Sequence, residues 1–201
     1  MHDSEQEHLQ GTAEPEQTAE RPPQARPRIY VAGLSDYNAG RLHGVWLEAA
    51  QEAEELQAGI TAMLETSPKP VAEEWAIHDH EGFGRMHLGE YESLETVSTV
   101  ALGIVEHGPA FAAWADLQYP LDPSALVDFE AAFRGTWENV EAYAEDLLED
   151  LGATAELERI PEWLQPYVRL DVAAYARDLE LGGDICTVRD EEGVHIFDAT
   201  I

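Results

Sequence analysis

Residues 28–47 read R-I-Y-V-A-G-L-S-D-Y-N-A-G-R-L-H-G-V-W-L. Arg28–Gly33 is an apolar run closed by glycine and predicts a strand. Asp36–Gly40 (D-Y-N-A-G) carries turn residues, and Leu42–Leu47 supplies a partner strand. Ala49–Leu64 follows with helical spacing and stops ahead of Ser67-Pro68. Trp75-Ala76-Ile77 then reads as a third strand that ends in the loop His80–Gly84. Strands and helix interleave over a short span, so residues 28–88 are expected to form a small α+β unit.

The pattern changes beyond Leu88. Ser93 is placed to cap a helix whose apolar residues are Leu94, Val97, Ala101, Ile104 and Val105, with Gly108-Pro109 ending it. Ala110–Leu117 predicts a second helix. Asp122 with Pro123 predicts the start of a third, running to about Arg134 and Gly135. Residues 89–134 are therefore a helical middle unit. Asn139 caps a predicted helix over Val140–Leu151, closed by Gly152. Asp171 caps another over Val172–Glu180, closed by Gly182-Gly183. Ile185–Val188 and Val194–Phe197 flank a glycine-containing loop in a hairpin pattern. Residues 135–201 are a second α+β unit. The fold class is α+β, three small units in a row, with no repeat of fixed period.

Residues 1–27 stand apart. They hold Gln, Glu, Thr, Ala and four prolines, and Leu9 is nearly their only large apolar residue. Such a stretch buries too little surface to offset its ordering entropy, and a disordered acidic tail is expected.

Charge narrows the function. The chain has 11 basic and 41 acidic residues, a net −30. From Arg28 onward there are 9 basic and 35 acidic residues, so −26 belongs to the body rather than the tail. No basic residue occurs over 42–68, 86–133 or 135–158. A protein that grips phosphates needs cations to displace counterions, so direct nucleic-acid binding is excluded. The lone cysteine, Cys186, excludes a disulfide framework and reads as a small buried residue of an apolar strand. No apolar run approaches the roughly 20 residues of a membrane span, and residues 1–10 lack a signal-peptide pattern. A cytoplasmic protein without membrane contact is expected.

Catalytic and cofactor motifs are absent. His78-Asp79-His80 with Glu81 and His87 suggests metal chemistry, and alternation along a strand would turn His78 and His80 to one face. No HExxH motif or cysteine pair supports a metal site there. There is no G-x-S-x-G, no calcium loop and no complete dinucleotide fingerprint, and no pair of carboxylates is singled out for acid–base work. Neither enzymatic activity nor a cofactor is expected. Trp46, Trp75, Trp114, Trp137 and Trp163 read as core anchors, because base-stacking platforms accompany basic grooves.

The acids themselves form the pattern. On the helix after Asn139, Glu138, Glu141, Glu145 and Glu149 fall within about 80° of arc, opposite Val140, Tyr143, Ala144, Leu147 and Leu151. Glu48, Glu52 and Glu55 predict a similar row on the first helix. Glu90, Glu92 and Glu95 extend the acidic surface into the middle unit. Like-charge pairs at i,i+4 destabilise a helix, so a row without interspersed Lys or Arg is selected for something other than stability. A solvated acidic face, or the proteome-wide acidity of a halophile, is one reading. Imitation of DNA is the other: a dimer of the body would carry −52, the charge of about 90 Å of duplex at one charge per roughly 1.7 Å.

The chain resembles the ArdA antirestriction proteins. The segments are Pro27–Ala32, Tyr37–Gly40 with Leu42–Trp46, Glu73–Asp79, Glu81–Phe83 and Leu88–Ser93. Ile160–Leu164, Tyr167, Ala176–Asp178 and Gly183-Asp184 follow near the C-terminus. Each is short, but their order and spacing cover residues 27–198. The tail before Pro27 has no counterpart in that pattern. The resemblance implies an elongated, three-part α+β homodimer, with the dimer contact in the region after Gly135. It further implies an acidic surface that mimics bent B-form DNA and occupies the DNA-binding groove of type I restriction–modification enzymes, in a protein carried by mobile genetic elements. The alternative is an acidic adaptor or chaperone for a basic protein, without DNA-like shape.

Overall fold

The computed structural model describes residues 26–68, 73–119 and 124–201. Its first sheet is built from β1 (Arg28–Gly33), β2 (Gly44–Glu48) and β3 (Trp75–Glu81), all antiparallel, in the order β2-β1-β3. Ile29 and Val31 of the central strand are fully buried. Arg28 joins all three strands. Its guanidinium lies 4.7 Å over the Trp46 ring of β2 and pairs with Glu81 of β3 at 2.7 Å. Between β1 and β2 the chain makes a single helical turn, α1 (Leu34–Tyr37).

The first long helix, α2 (Ala53–Glu65), buries Leu56, Ile60 and Met63. It begins four residues later than the spacing predicts. Ala49 is fully buried and its N–H donates to the Pro27 carbonyl at 2.8 Å. The Gln51 side chain then takes the Glu48 carbonyl at 2.7 Å. The Ala49 bond carries the pairing past β2, and the backbone is still extended at Glu52, the residue before the helix.

Next come α3 (Leu94–His107), α4 (Pro109–Leu117) and α5 (Ala125–Ala132). Ser93 caps α3 as expected, accepting from the Thr96 N–H at 3.0 Å, and Gly108 separates α3 from α4. The predicted start at Asp122 and Pro123 lies outside the described residues.

The third helix of this stretch does not reach Gly135. It stops at Ala132, and Phe133–Trp137 form β4, a strand absent from the sequence-based reading. Phe133 leaves the helix because its ring stacks on Phe129 and packs beside Phe197 at centroid distances of 4.9 and 5.7 Å. A register shift follows between Phe133 and Gly135, where Gly135 takes φ 109°, a conformation that side-chain-bearing residues avoid.

The remaining elements are α6 (Val140–Asp150), α7 (Ala153–Glu158), a 3-10 turn (Gln165–Tyr167), α8 (Val172–Gly182), β5 (Ile185–Arg189) and β6 (Val194–Asp198). The second sheet has the order β4-β6-β5, again antiparallel. Its two faces divide the apolar interior. Phe197 and Val188 join the large core that runs through α2–α5 to the first sheet. Val194, Ile196 and Ile185 pack instead with Val140 and Ala144 of α6 and Ala176 and Leu179 of α8.

Two burial expectations are corrected. Cys186 is exposed, because β5 is an edge strand whose face meets the core at Val188. Of the tryptophans, Trp114 is buried and Trp46, Trp75 and Trp137 are half-buried, but Trp163 is 72% exposed. It sits in a stretch, residues 151–175, in which no residue is buried.

Candidate functional site

The acidic surface has its most regular part on α6. Asn139 caps the helix, its side-chain oxygen accepting from the Ala142 N–H at 2.8 Å. Val140 and Ala144 anchor the inner face. Glu141, Glu145 and Glu149, with Glu138 just before the cap, are all exposed, as are Asp146 and Asp150. Four residues of helix rise about 6 Å, so the outer face presents a ladder of carboxylates. Arg134 stands closest in sequence and is already paired with Asp198 at 2.7 Å.

The N-terminal acids are arranged differently from the expected helical row. Glu48 ends β2, Glu52 is the residue at the N-cap of α2, and only Glu55 lies within that helix. All three are exposed, but strand, connection and helix hold them rather than one helix face. Glu90 and Glu92 lie on the turn before α3, and Glu95 is in its first turn. Glu90 and Glu95 are exposed and Glu92 is half-buried.

The fold also brings Glu54, Glu73 and Glu74, which sequence reading did not select, together with Glu92 and Glu95, which it did. Glu73, Glu74 and Glu92 line a cleft of about 480 Å³ with Leu34, Trp75 and Tyr91. An adjoining cleft of about 390 Å³ shares Trp75 and Glu92 and adds Glu54 and Glu95. The only signal in the sequence was the Glu73-Glu74-Trp75 triplet.

Five other arginines are engaged. Arg28 pairs with Glu81, Arg41 with buried Asp36, and Arg159 with Glu156. Arg85 and Arg169 donate to backbone carbonyls. Asp36 titrates below the usual carboxylate range, held there first by the Ser67 hydroxyl and then by Arg41, against the opposing effect of burial. Asp198 is likewise lowered, by the Thr200 hydroxyl and N–H and by Arg134.

His80 and His87 stand ring to ring, with centroids 5.7 Å apart, but His78 does not join them. A β-bulge shifts the register between Tyr30↔Asp79 and Val31↔Ile77. His80 therefore shares the face of Ile77, opposite Ile29, while His78 packs on Tyr37 at 4.6 Å. The alternation that would have set His78 beside His80 is broken. Among the described residues no group of three or more His, Cys, Asp or Glu side chains forms a metal site. No helix among them is long and apolar enough to cross a membrane.

A family model described as antirestriction protein (ArdA) matches residues 29–193. That span runs from the central strand of the first sheet through β5 and holds every glutamate of the acidic surface, whereas β6, the central strand of the second sheet, lies beyond it; the chain belongs to the ArdA antirestriction family. No curated protein matches the chain.

Proposed function

We propose that this member of the ArdA family is a non-enzymatic inhibitor, an acidic DNA mimic that binds as a homodimer in the DNA-binding groove of a type I restriction–modification enzyme. The observation that carries the reading is the outer face of α6. Glu138, Glu141, Glu145 and Glu149 are exposed on one side, with no basic residue from 135 to 158 to neutralise them. A groove built to hold phosphates presents lysines and arginines. A folded body at −26 offers it the same counter-charge on a rigid scaffold. Glu48, Glu52, Glu55, Glu90, Glu92 and Glu95 extend that surface.

In this reading residues 28–88, 89–134 and 135–201 are the three units behind an acidic tail, and the last carries the dimer contact. Its 151–175 stretch supports this. Trp163 and Tyr167 are 72% and 80% exposed, and Leu151 and Leu170 of the same stretch are exposed as well. Aromatic and aliphatic surface of this kind is typical of interfaces.

The test is competition. A type I methyltransferase core is loaded with labelled duplex, the protein is titrated in, and the experiment is repeated at two salt concentrations. Displacement that saturates near one dimer per enzyme and weakens with salt is expected. A folded, dimeric protein that displaces no DNA would overturn the reading and favour the acidic adaptor.

A further inference from the structure

We infer that the cleft between the start of β3 and the turn before α3 accepts an arginine side chain from the partner enzyme's basic groove, an inference that rests on the inhibitor reading. The cleft has two aromatic walls, Trp75 and Tyr91, and three carboxylates, Glu73, Glu74 and Glu92. Its walls are tied together by backbone bonds. The Leu34 N–H donates to the Glu74 carbonyl and the Ile77 N–H to the Glu90 carbonyl, each at 2.9 Å. The concavity therefore exists before a partner arrives.

Glu92 is the focal group. The Tyr119 hydroxyl donates to one of its oxygens at 2.8 Å and the Ser93 N–H to the other at 3.3 Å. Both donors are neutral, so they orient the carboxylate and leave its charge intact. Tyr119 stays neutral because the hydrogen bond to Glu92, and then its charge, raise the phenol's pKa. No ion pair joins Glu92 to a basic side chain among the described residues. A half-buried, oriented and uncompensated carboxylate beside aromatic rings selects a cation. The planar guanidinium fits better than an ammonium, because it stacks on a ring while its N–H fork meets a carboxylate.

The same sheet already contains that arrangement. Arg28 lies over Trp46 while paired with Glu81. The cleft presents the aromatic and acidic parts and lacks the arginine. It differs from the α6 ladder in kind: those carboxylates are solvated and screened, whereas a half-buried one acts through a lower effective dielectric. The cleft thus anchors an otherwise diffuse electrostatic contact.

Two measurements test this with the full chain. Trp75 packs partly into the core, so the variants are Tyr91→Ala with Glu92→Gln, and as control the α6 substitution Glu145→Gln. In the first, N-acetyl-arginine amide is titrated while the Trp75 indole N–H resonance is followed, its assignment made with Trp75→Phe. A saturable shift, larger than with the lysine analogue and lost in Y91A/E92Q, is expected. In the second, the displacement assay is repeated, with the half-maximal concentration expected to rise about tenfold for Y91A/E92Q and less than about threefold for E145Q. If the wild type displaces DNA but Y91A/E92Q behaves like E145Q, or if the arginine amide leaves Trp75 unmoved, the inference is overturned and the inhibitor reading stands. Failure of the wild type to displace DNA would instead overturn the inhibitor reading, and with it the arginine's assigned source.

Discussion

His195 Nε2 lies 2.7 Å from Asp190 Oδ2, and the imidazole is completely enclosed. The other ring nitrogen, Nδ1, is 2.8 Å from the Thr136 hydroxyl. One tautomer satisfies both: Nε2–H donates to the carboxylate and Nδ1 accepts from the threonine. The network joins β4, β6 and the β5–β6 loop, and the Glu192 N–H closes it on Asp190 Oδ1 at 2.8 Å. Burial alone would raise the Asp190 pKa, but His195 and the backbone N–H groups of Glu192 and Gly193 outweigh it and hold the carboxyl below its usual value.

Asp190→Ala is therefore expected to destabilise the fold by about 1–3 kcal/mol at pH 7, since it strands a buried N–H. A carboxyl with a lowered folded-state pKa contributes stability above its unfolded value, near 3.8, and loses it as pH falls through the folded value. The gap between wild type and variant in urea unfolding should thus be full at pH 7 and shrink at pH 3. A gap of equal size at both would mean that the ionised form is not what the site stabilises.

Gly103→Ala sets two effects against each other. In an ordinary helix the change gains up to about 1 kcal/mol. Here an added Cβ would stand 2.3 Å from a ring carbon of Phe111, which is fully buried and flanked by His107 and Phe129. The ring has no room to yield, and overpacking costs about 1–3 kcal/mol. A net loss is expected in thermal unfolding; a gain would mean that α3 and α4 separate easily.

Sequence reading succeeded where one short segment decides its own structure. Ser93, Asn139 and Asp171 each cap a helix through bonds of 2.8–3.0 Å made three residues ahead. Gly152 and Gly183 end theirs in the left-handed conformation, and the β5–β6 hairpin closes across its own loop. It failed where distant residues decide. Phe133 becomes strand because Phe197 and β6 are beside it. Ala49 stays extended because Pro27 holds it. The aromatic–acidic cleft exists only because the fold brings Glu73 and Glu74 to Glu92. The α6 ladder, by contrast, was legible from helical spacing alone.

Asn139→Ala probes how far that ladder depends on its cap. The substitution frees the Ala142 N–H and is expected to cost about 1 kcal/mol. Hydrogen exchange should rise first in residues 140–144, before the second sheet opens. If α8 and β6 exchange as fast as α6, the helix does not fray separately from the sheet it covers.

Charge neutralisation on α6 should separate stability from inhibition. Glu145 is four residues from both Glu141 and Glu149, so Glu145→Gln removes two like-charge contacts. Glu149 lies in the last turn, where the helix dipole disfavours an anion. Both side chains are exposed and neither has an ion pair among the described residues. Glu145→Gln with Glu149→Gln is therefore expected to stabilise the fold by roughly 0.5–1 kcal/mol at low salt. The gain should fade as salt screens the repulsion. The same double variant should displace less DNA from the restriction enzyme and show a shallower salt dependence, because two charges fewer meet the basic groove. A core or cap mutation lowers stability and activity together, whereas this one moves them in opposite directions. If the variant is more stable and inhibits as well as the wild type, α6 lies outside the contact surface and the mimicking face must be sought on the N-terminal acids.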